Sequence, residues 1–248
     1  MAQASDFQKN ILNTLDSYLH KNDYEGAERY LLRCLEDVIV NKDFTTEILL
    51  RNELMGLYRK VGKRDEAIYT VDAVLQLIED KGLANQVGSA TTFLNSATVY
   101  KAFGMPDKSI VLFEKAKRIY EERLSVDDEL LGGLYNNMAL TLVDLKRYDE
   151  ARDLNEKAIN IMKNKPLEIA ITYLNMANAV EAEKGVLEAH QEIEEYLKKA
   201  KELLEGYENR DGYYAFVCEK CASVFGYFGD FLYDEELKNR ARRIYEGS

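Results

Sequence analysis

Tryptophan is absent from this sequence, proline and histidine occur twice each, and cysteine three times in 248 residues. Each scarcity removes a class of answers. Few prolines leave long stretches uninterrupted, which suits helices, because a proline inside a helix costs about 3 kcal/mol. Three cysteines, an odd number, build no disulfide framework, so a reducing cytoplasm is the expected home. No window approaches about 18 consecutive apolar residues, so no membrane-spanning helix is expected. The opening MAQASDFQKN has no basic start followed by an apolar run, so no secretory signal is read there. No G-x-x-x-x-G-K-[ST] or G-x-G-x-x-G phosphate loop, HExxH pair or serine elbow occurs, so neither an enzyme nor a cofactor or metal is expected.

Charge narrows the partners. Acidic residues outnumber basic ones 44 to 33, for a net charge of −11. That average field repels nucleic acid and favours a neutral or basic partner. Hydrophobic residues make up 46% of the chain, enough for a core and too many for disorder.

What the chain does contain is repetition. LYNNMALTLVDLKRYDEA (Leu134–Ala151) has counterparts in FLNSATVYKAFGMPDKSI, YLNMANAVEAEKG, LMGLYRKVGKRDEAI and LDSYLHKNDYEGAERYLLRCL. Each reads as an apolar helix, a polar or glycine-bearing turn and the start of a second helix, with a longer turn expected in the fifth copy. Leu15, Met55, Ala97, Ala139, Ala177 and Ala222 mark one position of the first helices, at intervals of 40, 42, 42, 38 and 45. Ala27, Ala67, Ser109 and Ala151 mark the second helices, at intervals of 40, 42 and 42. Two series with nearly one period mean stacked helix pairs. About six pairs are expected in one domain over 1–248, at 5–41, 44–82, 86–124, 127–164, 167–206 and 211–247. Pro106 suits the first position of a second helix. Ser125 and Asp128 suggest a capping arrangement for the fourth pair. Gly206 and Asn209 to Gly212 punctuate the passage to the sixth.

The residues Tyr135, Ala139, Leu142, Tyr148, Ala151 and Ala158, and Phe93, Ala97, Tyr100, Ser109, Phe113 and Ala116, resemble the tetratricopeptide repeat. The longer spacing, with LNSA, YNNMA and YLNMA, looks like the kinesin-light-chain branch. The proline that usually closes each repeat is mostly missing, Pro166 being the nearest equivalent. The resemblance implies an all-α, right-handed superhelical solenoid of antiparallel helix pairs. It implies that the first helices line a concave face that binds proteins or peptides.

Asn95, Asn137 and Asn175 hold one repeat position, two residues before the small alanine, and Asn178 follows three residues after Asn175. Asparagine is a poor helix former, because its amide competes for backbone groups. The resemblance places this row, with Asn136, on the concave face. There an amide could bind the backbone of an extended peptide. The same amides could instead bridge adjacent first helices. Arg59, Lys60 and Lys101, near first-helix ends, are candidate anchors for a carboxylate, or solvated charges.

Other features read as structural. Cys218 and Cys221 in CEKC lie at i and i+3 on one helix face, and burial of that face accounts for them. His20 and His190 have no ligand partners in register. Pairs such as Glu194–Lys198 and Glu195–Lys199 suit a solvated helix face. The crowded aromatics Tyr213, Tyr214, Phe216, Phe225, Tyr227, Phe228, Phe231 and Tyr233 fill the last pair's core or form a self-association patch. The expected function is therefore a non-catalytic protein- or peptide-binding scaffold. The alternatives are a peptide-sensing receptor acting through a partner protein, with no DNA-reading domain before the repeats, and a self-assembling scaffold.

Overall fold

A computed structural model describes residues 5–247. Among the described residues there are twelve helices and no strand. The pairs are α1 (Asp6–Leu19) with α2 (Tyr24–Val40), α3 (Phe44–Val61) with α4 (Arg64–Asp80), and α5 (Val87–Ala102) with α6 (Pro106–Arg123). They continue as α7 (Glu129–Asp144) with α8 (Tyr148–Ile161), α9 (Pro166–Lys184) with α10 (Val186–Glu205), and α11 (Gly212–Tyr227) with α12 (Phe231–Glu246). The all-α helix-pair architecture expected from the sequence is the one found.

The chain forms two compact units, Met1–Leu124 with α1–α6 and Ser125–Ser248 with α7–α12. In the first, each helix packs on the next in sequence, and α3 also packs on α5. In the second, α9 is central and packs against α7, α8, α10 and α11, while α7 pairs with α8 and α11 with α12. First helices therefore lie beside first helices within each unit.

The small residues explain how closely the rods pack. Ala97, Ala139, Ala177 and Ala222 are buried, as are Ala27, Ala67, Ser109 and Ala151. The approach is close enough for Ser109 Oγ on α6 to donate to the Ala97 carbonyl of α5 at 2.8 Å. A larger side chain at either place would push the pair apart.

Five of the six turns inside a pair close alike. The N–H beyond the turn reaches back five residues, from Asp23 to Tyr18 (3.0 Å), Lys63 to Tyr58 (2.9 Å), Met105 to Tyr100 (2.9 Å), Arg147 to Leu142 (2.8 Å) and Asp230 to Phe225 (2.9 Å). The residue just before each donor has positive φ: Asn22 (54°), Gly62 (77°), Gly104 (73°), Lys146 (60°) and Gly229 (97°). This is the Schellman closure, which satisfies carbonyls that the helix end leaves open. Second helices then start on side-chain caps where one is available, as Asp23 accepts from Gly26 N–H (2.8 Å) and Asp230 from Tyr233 N–H (3.2 Å).

Three local expectations need correction. The fourth pair's first helix is capped by Asp128, whose carboxylate accepts from Leu130 N–H at 2.9 Å; Ser125 contributes only its carbonyl, to Asp128 N–H. The fifth pair has no stretched turn. AVEAEK is made of good helix formers, so α9 runs on to Lys184 and Gly185 alone separates it from α10. Lys198 lies 4.0 Å from Glu202 on the C-terminal side, whereas Lys199 and Glu195 pair at 2.6 Å as expected.

Candidate functional site

Polar rungs join neighbouring first helices inside each unit. In the first unit Gln8 Nε2 of α1 donates to Thr46 Oγ1 of α3 (3.1 Å). Asn95 Nδ2 of α5 donates to Asn52 Oδ1 of α3 (2.8 Å), and Asn52 Nδ2 donates to Thr92 Oγ1 (3.0 Å). In the second unit Asn175 Nδ2 of α9 donates to Asn136 Oδ1 of α7 (2.8 Å). Tyr213 donates to Glu168, and Tyr227 to Glu181 (3.3 Å), joining α11 to α9.

The two asparagine rungs share one register. In each, the asparagine two places before the small residue meets the asparagine three places before it on the preceding first helix. Asn52 and Asn136 lie 84 residues apart, two repeat lengths. That spacing was the signal that could have revealed Asn52.

Not every predicted amide is a rung. Asn137 turns back and donates to the Gly133 carbonyl in its own helix at 2.8 Å. Asn178 makes no hydrogen bond with the described residues and is half-buried. So Asn136 and Asn175 are brought together, while Asn137 and Asn178, equally half-buried, have no side-chain hydrogen-bond partner among the described residues. Arg59 and Lys60 are exposed in the last turn of α3, with Lys60 Nζ 5.2 Å from the centre of the Tyr24 ring. Lys101 is half-buried in the last turn of α5. These cations lie at helix ends, away from the mid-helix amide positions.

The same register holds two other kinds of residue. On α3 it is Glu53, whose carboxyl is pushed up by burial and then by the neighbouring Asp16 carboxylate. On α11 it is Lys220, which is exposed. Helical glycines fall on the amide stripe as well. Gly56 is three residues after Glu53, Gly88 seven before Asn95 and Gly133 four before Asn137, and a side chain at any of them would meet open space. A mid-helix glycine costs about 1 kcal/mol relative to alanine, and packing here does not demand it.

The aromatics of the last pair divide. Tyr214, Phe225 and Tyr233 are buried, whereas Tyr213, Phe216, Tyr227 and Phe231 are exposed. Tyr213, Phe216, Lys220 and Tyr227 recur at helical spacing and form one stripe along α11. Cys218 and Cys221 lie on the opposite, buried face. Burial raises both thiols, Cys221 to about 12, which disfavours the thiolate needed for redox or metal chemistry. Among the described residues, no three His, Cys, Asp or Glu side chains are grouped to hold a metal, and no helix is long and apolar enough to cross a membrane.

Comparison with known proteins agrees with this helix-pair fold. Residues 132–164, covering most of α7 and all of α8, match the tetratricopeptide repeat family model. No curated protein sequence matches the chain. Among solved structures, BtubC (BKLC) from P. vanneervenii superposes with a TM-score of 0.69 at 19% identity, over 81% of this chain and 82% of that one. A Podosopora anserina putative kinesin light chain with nearly identical TPR-like repeats gives 0.54 at 18% identity, over 78% and 92%. A Rap protein complexed with Competence and Sporulation Factor gives 0.64 at 13% identity, over 98% of this chain and 66% of that one. The fold is thus that of the tetratricopeptide helical-repeat proteins, kinesin-light-chain-like repeats included.

Proposed function

We propose that the protein is a non-catalytic, cytoplasmic scaffold whose first-helix faces bind an extended peptide or a protein segment, with residues 1–248 acting as one repeat domain. The observation that carries this is the composition of the amide stripe. In the second unit Asn137 and Asn178 keep amide groups that no neighbouring first helix uses, and Gly133, one turn before Asn137, carries no side chain. An amide beside a bare backbone suits a ligand main chain, which needs both donors and acceptors and little side-chain room. A preformed face loses little ordering entropy on binding. The rungs supply that rigidity.

A second reading, a peptide-sensing receptor acting through a partner protein, draws support from the similarity to a Rap protein crystallised with Competence and Sporulation Factor. Both readings share the peptide step. Arg59, Lys60 and Lys101 remain candidate anchors for a ligand carboxylate at the end of the first unit's face.

Selection from a displayed random-peptide library on the immobilised full-length chain tests the reading. Enriched peptides that compete for one another and bind at micromolar or better Kd are expected. Repeated selection without enrichment above an unrelated helical protein would reject it. Sedimentation across concentrations runs beside it, because a stable assembly through the aromatic face would favour the self-assembling scaffold.

A further inference from the structure

The exposed stripe of α11 and the edge of α9 carry two matching constellations. At the start of the seam, the Tyr213 and Phe216 rings stack with centres 6.2 Å apart, and the Tyr213 hydroxyl holds Glu168. At its end, Tyr227 and Phe228 meet edge to face at 5.0 Å, and the Tyr227 hydroxyl holds Glu181 at 3.3 Å. Each site therefore joins aromatic faces to a carboxylate. Neither Glu168 nor Glu181 has an ion-pair partner within 4.0 Å among the described residues. Burial raises the Glu168 carboxyl, against the more distant Lys220 and Lys165. Electron-rich ring faces beside a carboxylate with no direct ion-pair partner attract a cation. Lys220 stands midway, seven residues from Tyr213 and seven from Tyr227, and also makes no ion pair among the described residues.

We propose that the α9–α11 seam docks an extended segment carrying two basic side chains about six residues apart, one against Tyr213, Phe216 and Glu168 and the other against Tyr227 and Glu181. The spacing follows from geometry. Tyr213 and Tyr227 are 14 residues apart on one helix, which is about 21 Å at 1.5 Å per residue. An extended chain covers that in about six residues. Lys220 then faces the middle of the segment and favours an acidic residue there. The proposal rests on the peptide-binding reading and names the ligand chemistry in the second unit. The chain's charge of −11 adds long-range attraction for such a segment.

Fluorescence anisotropy with the full-length protein tests it. The probe is a labelled heptapeptide with arginine at both ends, glutamate at the centre and serine elsewhere. Saturable binding is expected, at least about tenfold tighter than for a peptide of the same composition with its arginines adjacent. Phe216→Ala and Glu181→Gln should each weaken it at least about threefold. Phe216 is exposed and Glu181 half-buried, and circular dichroism checks that the fold is kept. Equal affinity for the adjacent-arginine peptide, unchanged affinity in both variants, or no binding overturns the proposal. A dimer dissolved by Phe216→Ala assigns the face to a second copy and overturns it too. Library-selected peptides that depend on Asn137 but ignore Phe216 would end this inference alone. Absence of any peptide ligand would end the parent reading with it.

Discussion

Asn175 on α9 donates its amide to Asn136 on α7 at 2.8 Å, whereas Asn137, the next residue, donates to its own helix at Gly133. Two adjacent asparagines thus have different tasks. One ties two first helices together; the other bonds only within its own helix.

That difference predicts opposite mutational behaviour. Asn136→Ala should destabilise by about 0.5–1.5 kcal/mol through loss of the inter-helix bond. Asn137→Ala should be neutral or stabilising by up to about 0.7 kcal/mol, because alanine is the better helix former. Urea denaturation of the two variants, with a double-mutant cycle for Asn136 and Asn175, measures this. Equal losses in both, or no coupling between Asn136 and Asn175, would contradict the rung.

Ala139 is buried where α7 meets its neighbours. Ala139→Leu adds volume with no room to receive it and should cost about 1–3 kcal/mol. A thermal melt shows this as a clearly lowered midpoint. A midpoint equal to wild type would mean that the helices are not held at the close approach described.

Lys146 holds a left-handed backbone, φ 60°, in the α7–α8 turn, where Gly62 and Gly104 serve in the second and third pairs. A residue with a Cβ costs about 1–2 kcal/mol there. Glycine loses more entropy on folding, so Lys146→Gly should stabilise by the remainder, up to about 1 kcal/mol. Lys146→Val should destabilise. Chemical denaturation checks both signs.

Cys221 makes stability sensitive to alkali. Its thiol titrates near 9.0 when unfolded and is raised to about 12 by burial in the fold. Between those values the unfolded chain binds fewer protons than the folded one, so stability falls as pH rises, by at most about 1.4 kcal/mol per unit. Below pH 9 the contribution is fully present. Cys221→Ala should flatten the dependence between pH 9 and 11. In thiol labelling at pH 8, Cys34, which is half-buried, should react first, and Cys218 and Cys221 only after unfolding.

Much of the fold was legible because its strongest constraint is a steric one that recurs. Ala97, Ala139, Ala177 and Ala222 must be small wherever rods touch, and Ala27, Ala67, Ser109 and Ala151 repeat the same demand in the second helices. The turns were less legible. Asn22 and Lys146 adopt the conformation that glycine adopts elsewhere, and lysine carries no signature of it. The Ser125 cap failed because Asp128 offers a stronger acceptor nearer the helix start. The rungs were half visible. Asn95, Asn137 and Asn175 stood out by register, but Asn52 pairs one position off that register. Lys220 and the α11 aromatics escaped the asparagine pattern, although they continue the same stripe with different chemistry.

The account turns on whether the amides unused by the stack meet a ligand. The direct measurement is the Kd of a library-selected peptide for the wild-type chain and for the Asn137→Ala, Asn178→Ala double variant. About tenfold weaker binding, with the melting temperature unchanged or raised, is predicted from two lost hydrogen bonds. Unchanged affinity in a folded double variant would contradict it.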